Sequence, residues 1–263
     1  MLSLNCIGKT FSSELGSKKE VFKNLNLKVN KGEFVTVIGS NGAGKSTLLN
    51  LVMGSIEPDC GRVWLGNKDI TDIELYKKNT FISKVYQDPS LGTAPSMTVF
   101  ENLSMADNKG KKFNFTMGLN KKRKEDYKNL LRELGLGIEN QLDTEVGLLS
   151  GGQRQCLALL MATMNKPRLL LLDEHTAALD PKTSKIIMDK TDEIVRKNGI
   201  TTLMITHNLQ DAITYGDRII MLHNGNIILN VAGEEKKNLT PEKLLEKFNS
   251  VKGKINDKDI FAA

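Results

Sequence analysis

The residues with the most chemical content stand together early in the chain. Gly39-Ser40-Asn41-Gly42-Ala43-Gly44-Lys45-Ser46 has the spacing G-x-x-x-x-G-K-[ST]. Glycines at these positions let backbone N–H groups turn inward around phosphate oxygens, and a helix that follows presents its positive end to them. Lys45 then reaches the β- and γ-phosphates, and the Ser46 hydroxyl is a ligand for Mg²⁺. A glycine turn can match this pattern by chance, so its flanks matter. Before it, Glu33–Gly39 reads EFVTVIG, a short β-branched apolar run of the kind that forms a strand buried on both faces. After it, KSTLLNLVMG has a helical pattern ended by Gly54. That context is the one the chemistry requires.

A second acidic element supports the first. In Leu169–Glu174 four leucines bury a strand and leave Asp173 at its carboxyl end, where open α/β sheets bind their ligands. A carboxylate there holds Mg²⁺ directly or through water, and Glu174 is placed to polarise an attacking water as general base. A third element, Leu149-Ser150-Gly151-Gly152-Gln153, precedes a helix expected over Gln153–Met164. A hydroxyl, exposed N–H groups and a helix dipole make a second anion site. By spacing alone the same residues also fit a plain N-cap.

The elements that must position these groups are legible as periodicities. Leu2, Leu4 and Cys6, then Leu25, Leu27 and Val29, alternate as strands do. Thr201–Thr206 and Arg218–Gly225 read as further buried strands, and Pro181–Asn198 as a helix with Ile186, Ile187, Ile194 and Val195 on its apolar side. The fold class is therefore α/β, with a phosphate-loop core. Between Gln87 and Gly147 no buried strand is expected; Glu125–Leu134 reads as helix, and the segment as a mostly helical inserted lobe. Thr240-Pro241-Glu242 starts a tail helix, threonine as N-cap and proline in the first position. No internal repeat is evident.

Composition narrows the class. With 263 residues, 40% hydrophobic and 26% charged, the chain suits one sizeable folded domain. No apolar run reaches the roughly eighteen residues needed to cross a bilayer, and the first residues lack the basic-then-apolar pattern of a secretion signal. Cys6, Cys60 and Cys156 have no metal-ligand spacing and read as reduced thiols. The formal charge of +6 is partly local: Lys109, Lys111, Lys112, Lys121, Lys122, Arg123 and Lys124 fall within sixteen residues. Without interleaved aromatics this reads as a solvated surface, and no nucleic-acid partner is expected.

Taken in order, GSNGAGKST (through Thr47), Gln87, LSGGQ, LLLLDE, Ala178-Leu179-Asp180 and His207 resemble the ATP-binding-cassette ATPases over nearly the whole chain. LSGGQ is the element most specific to that family; a phosphate-loop kinase or GTPase would not explain it. The resemblance implies a homodimer in which two ATP molecules are sandwiched head to tail. Ser150, Gly151, Gly152 and Gln153 of one subunit then face the nucleotide held by the other. It further implies that Gln87 senses Mg²⁺ and the attacking water and links to a membrane partner, that Asp180 crosses the dimer interface, and that His207 contacts the γ-phosphate. Phe11 stands where the family places an aromatic against adenine; as a bare residue it fits a core position equally.

The sequence departs from the family in two places. His175 follows the glutamate where most relatives have proline, and Cys156 stands where a second arginine usually follows Arg154. Neither removes a catalytic group. The runs Asp173–Thr183 and Gly233–Thr240 resemble the ATPase subunits of a bacterial importer group encoded with a permease and a lipoprotein receptor, linked to tryptophan or tyrosine uptake. One cassette and the absence of heptads between Lys45 and Ser150 favour transport over cassette ATPases that act on DNA or ribosomes. The expected division is a nucleotide-binding core over 1–86 and 151–233, a lobe with the signature loop over 87–150, and a helical tail over 234–263. The expected setting is the cytoplasmic face of a membrane, beside a permease and an extracytoplasmic substrate-binding protein.

Overall fold

A computed structural model of the chain describes residues 1–12, 17–111 and 121–249. Its strands are β1 (Leu2–Ser12), β2 (Lys18–Val29), β3 (Phe34–Gly39), β4 (Cys60–Leu65), β5 (Lys68–Asp69), β6 (Ile82–Val85), β7 (Leu169–Asp173), β8 (Thr201–Ile205), β9 (Arg218–His223) and β10 (Asn226–Ala232). Its helices are α1 (Lys45–Met53), α2 (Leu75–Lys78), α3 (Val99–Asn108), α4 (Lys124–Arg132), α5 (Gly151–Thr163), α6 (Pro181–Asn198), α7 (Leu209–Thr214) and α8 (Gly233–Lys237), with a last helix over 241–249. The chain forms two compact units, one of Met1–Ile73 with Leu203–Ala263, the other of Glu74–Thr202. Lys112 of the basic cluster and the tail beyond 249 lie outside the described residues.

In the first unit, β2-β1-β4-β5 form an antiparallel sheet. The expected alternation is visible in its register: Leu2 pairs with Val29 and Leu65, Leu4 with Leu27 and Val63, and all six are buried. At Cys6 the strand bulges, with φ of 52°, and a side chain on Gly61 opposite would meet the Cys6 carbonyl oxygen at 2.4 Å. The second sheet places its strands in the order β10-β9-β3-β8 within this unit. β3 runs parallel to β9, from Val35 beside Arg218 to Gly39 beside Leu222. β9 returns as β10 through Asn224-Gly225, whose φ values of 44° and 72° are those of a two-residue Asn-Gly hairpin turn.

The tail closes this unit. Leu239 and Leu244 pack with Ile38, Ala212, Ile219 and Val231. Thr240 caps the last helix as expected, its Oγ1 accepting from the Lys243 N–H at 3.3 Å. Lys236 is 5% exposed, and its Nζ donates to the carbonyls of Ile213, Tyr215 and Gly216 at 2.8, 2.8 and 2.9 Å. A buried ammonium thus satisfies the carbonyl end of α7, where both the unpaired oxygens and the helix dipole favour a cation.

In the second unit β6 and β7 pair in parallel, Ile82 beside Leu169 and Val85 beside Leu172. Val99, Leu103, Tyr127, Leu131, Leu157 and Ile187 meet in the core that joins α3, α4, α5 and α6. Between 87 and 147 the described residues hold helices and short 3-10 turns but no strand, only an isolated bridge between Thr98 and Glu145. α6 has the bounds expected from its periodicity, ending at Gly199 with φ of 59°. Removing the clamp on α7 should be costly: Lys236→Met strands three carbonyls, and chemical denaturation should show a loss of about 3 kcal/mol.

Candidate functional site

The phosphate loop lies in the first unit. β3 buries Phe34 to Ile38 and ends at Gly39, where an added side-chain carbon would come 2.2 Å from the Leu222 carbonyl oxygen. Gly42 and Gly44 have φ of 80° and 100°, and Gly44 is the N-cap of α1. No side chain caps α1, and its first turn holds no acidic residue. By contrast Thr98, Ser150, Asp180 and Asn208 each cap their helix with a side-chain oxygen. Lys45 is 8% exposed and folds over the loop, its Nζ donating to the Gly39 and Ser40 carbonyls at 2.8 and 3.1 Å. An uncapped helix start behind left-handed glycines, with an ammonium beside it, is chemically an anion cradle.

Around it, Asn41, Gly42 and Ser46 are exposed, Ala43 and Gly44 buried, and Thr47 half-buried. His207 follows β8 and is exposed. Its turn is fixed by Thr206 Oγ1, which accepts from the Asn208 N–H at 3.0 Å, and by Asn208 Oδ1, which accepts from the Gln210 N–H at 2.9 Å. His207, Gly39 and Ser40 line one cavity of about 260 Å³ floored by Met221, Leu244 and Phe248, so the structure brings the histidine beside the start of the loop. Phe11, next to the end of β1, is exposed, with Lys9 Nζ 5.6 Å from its ring centre.

The second unit holds the other expected groups. Leu169 to Leu172 are fully buried, and Asp173 ends β7 paired with Lys84 at 3.0 Å, the two side chains 17% and 6% exposed. Lys84 also lies 4.8 Å from the Tyr86 ring centre. Glu174 adopts φ of 46° and its carbonyl accepts from the Ala177 N–H at 3.0 Å, so it stands in a tight left-handed turn. His175 is 2% exposed, and burial pushes its pKa down to about 4, which keeps the ring neutral. Gln87 is exposed just beyond β6. The carbonyl before it, of Tyr86, accepts at 3.1 Å from Nε2 of Gln155, a buried residue of α5.

The signature residues form a closed helix start. Ser150 Oγ accepts from the Gln153 N–H at 3.3 Å and Gln153 Oε1 accepts from the Ser150 N–H at 3.1 Å, a reciprocal capping box. Gly151 is exposed and Gly152 buried. A side chain on Gly152 would meet Thr183 Cγ2 at 2.3 Å, so α5 approaches α6 closely here and the Thr183 side chain would have to turn to admit one. Asp180 Oδ1 accepts from the Thr183 N–H at 3.0 Å, and the Thr183 hydroxyl and N–H hold the Asp180 carboxyl below its usual range. Thr183 therefore links the signature glycine to Asp180.

A buried strand that ends in a glycine loop, an open helix start and a lysine folded over it define a phosphate-loop α/β nucleotide-binding protein. The chain matches the ABC transporter family model over residues 22–177 and belongs to that family. It is 51% identical over 248 residues to a tyrosine transport ATP-binding protein of Clostridioides difficile (strain R20291), covering 94% of this chain and 98% of that one. It is 34% identical to the spermidine/putrescine import ATP-binding protein PotA of Pasteurella multocida (strain Pm70), covering 95% of this chain and 64% of that longer one. Among solved structures it resembles a dimeric ATP-binding cassette in a post-hydrolysis state bound to ADP and phosphate, with a TM-score of 0.76, 29% identity, and 88% and 98% of the two chains covered. The chain is an ATP-binding, ATP-hydrolysing subunit of the ABC transporter type. Cassettes of this family work as dimers with membrane permeases, and among the described residues no helix is long and apolar enough to cross a membrane.

Sequence reasoning passed over Lys84 and Gln155. Neither carries a signal in the sequence: Lys84 sits in a four-residue strand that is half polar, and a glutamine on a helix is ordinary. Cys156 is fully buried and burial pushes its thiol up to about 12, while Cys6 and Cys60 are exposed. Thiol labelling of the native protein at neutral pH should therefore modify Cys6 and Cys60 and spare Cys156, which should react only after denaturation.

Proposed function

We propose that this chain powers import of a small solute, an aromatic amino acid such as tyrosine, by closing on ATP as a homodimer on the cytoplasmic face of a membrane. The observation that carries the ATP-driven part is the open start of α1 behind Gly42 and Gly44, with Lys45 folded over it. The substrate rests on the 51% identity to a relative whose name includes tyrosine transport. Partners are a permease and an extracytoplasmic substrate-binding protein. In this reading the core spans 1–86 and 151–233, the lobe with the signature loop 87–150, and the tail 234–263.

The roles follow from the residue types. Gly39 to Thr47 wrap the phosphates with backbone N–H groups, and Lys45 leaves its two carbonyl partners to neutralise them. Phe11 covers the adenine and His207 donates to the γ-phosphate. Ser150, Gly151, Gly152 and Gln153 serve the nucleotide of the opposite subunit, as does Asp180 across the interface. Ser46, Gln87 and Asp173 would hold Mg²⁺; one carboxylate with neutral oxygens and phosphate is a donor set suited to that ion. When bound, Mg²⁺ neutralises charge on the phosphate oxygens. Glu174 takes the proton of the attacking water. Once the γ-phosphate leaves, the donors of the two subunits lose their shared anion and the dimer opens.

Glu174→Gln should keep ATP binding and lower turnover by roughly a hundredfold or more, because an amide cannot accept the proton. Phosphate release and ATP-dependent dimerisation measured together check this. Turnover like the unaltered protein would remove Glu174 from the reaction; an ATP-locked dimer with little turnover is the expected result.

A further inference from the structure

His175 is a departure from the family pattern that the proposed reaction does not use, and it is buried beside the residue that reaction depends on. Its Nε2 lies 3.2 Å from Thr191 Oγ1, and Thr191 is itself fully buried on α6. The Thr191 hydroxyl donates its one proton to the Ile187 carbonyl at 2.7 Å. It can therefore only accept from the ring, which assigns the proton of a neutral imidazole to Nε2. The bond reaches from the turn after β7 to the third turn of α6.

The residue before it has an unusual backbone. Glu174 holds φ of 46°, a left-handed conformation that a residue with a side chain keeps only when its surroundings over-determine it. The turn bond from the Ala177 N–H to the Glu174 carbonyl closes one side. On the other side stands His175, whose ring is held to α6 by Thr191. We propose that His175 is a positioning residue that fixes the Glu174 turn on α6 through Thr191. This rests on the reading of Glu174 as the base, and it assigns a role to Thr191, seventeen residues further along, that no motif marks.

The test uses Thr191, which keeps His175 and Glu174 in place. Thr191→Val preserves shape and removes the acceptor; Thr191→Ser restores it. In the full-length protein Thr191→Val should lower kcat on the order of tenfold, since small displacements of a reacting group are costly. The KM for ATP and the affinity for a fluorescent ATP analogue should stay within about twofold, and Thr191→Ser should recover most of the rate. At His175, Gln should retain more activity than Ala, because its amide N–H can donate where Nε2–H does. In the Glu174→Gln background Thr191→Val should change the residual turnover little. An unchanged kcat in folded Thr191→Val would overturn the proposal. So would a fall in kcat that merely tracks the folded fraction measured by thermal unfolding. If Glu174→Gln itself turns over normally, the assignment of the base fails instead, and the two failures are told apart.

Discussion

The first N–H groups of α1 have no side chain to satisfy them, and much of the molecule follows from keeping them that way. A helix start buried without partners is unfavourable unless an anion or water takes the place of a cap. Here the approach keeps that place open. A fully buried β3 fixes the entry, Gly42 and Gly44 hold left-handed turns, and the first turn carries no carboxylate to compete for the site. Lys45, almost buried, rests on two carbonyls of the loop in the meantime.

The head of α5 is built the opposite way. Ser150 and Gln153 satisfy each other's N–H groups at the head of α5, so this end is stable with nothing bound. To serve a phosphate on another subunit the Ser150 hydroxyl would donate its proton while Oγ keeps accepting from the Gln153 N–H. A bond from that proton to a charged acceptor exceeds one between neutral groups. In the proposed reading one helix start holds the phosphates of its own subunit, and the other meets those held by the partner. In the second unit the same economy appears in the carboxylates. Asp173 is neutralised by Lys84 at 3.0 Å, and Asp180 by the head of α6.

Much of this was legible because the strongest signals are local. β3, β7 and β8 are continuous apolar runs with few alternatives, and α6 carries proline at one end and glycine at the other, so its bounds were readable to the residue. β6 was not: four residues with Lys84 inside them look like neither a buried nor an amphipathic strand. β4 has its apolar residues only at Val63, Trp64 and Leu65, and β10 was hidden although Asn224-Gly225 marked its turn. In the proposed site, Lys45, Ser46, Asp173 and Glu174 are candidates from spacing and chemistry. Phe11, Gln87, Asp180 and His207 are single residues whose proposed roles rest on resemblance. Gln155, Lys84 and Thr191 make contacts far away in sequence, and no periodicity encodes those.

The central claim is that a subunit's nucleotide is completed by the signature loop of its partner. Ser150→Arg and Lys45→Ala should each be inactive as homodimers, since every composite site is then broken. In a mixed dimer both lesions fall on one site, and the other keeps an intact loop and an intact signature. Measuring ATPase activity of an equal mixture, with heterodimer content determined by differential tagging and ATP-dependent dimerisation of each variant recorded alongside, addresses this directly. The account predicts recovery of activity in proportion to heterodimer. Heterodimers that form on ATP yet show no more activity than either homodimer would contradict it.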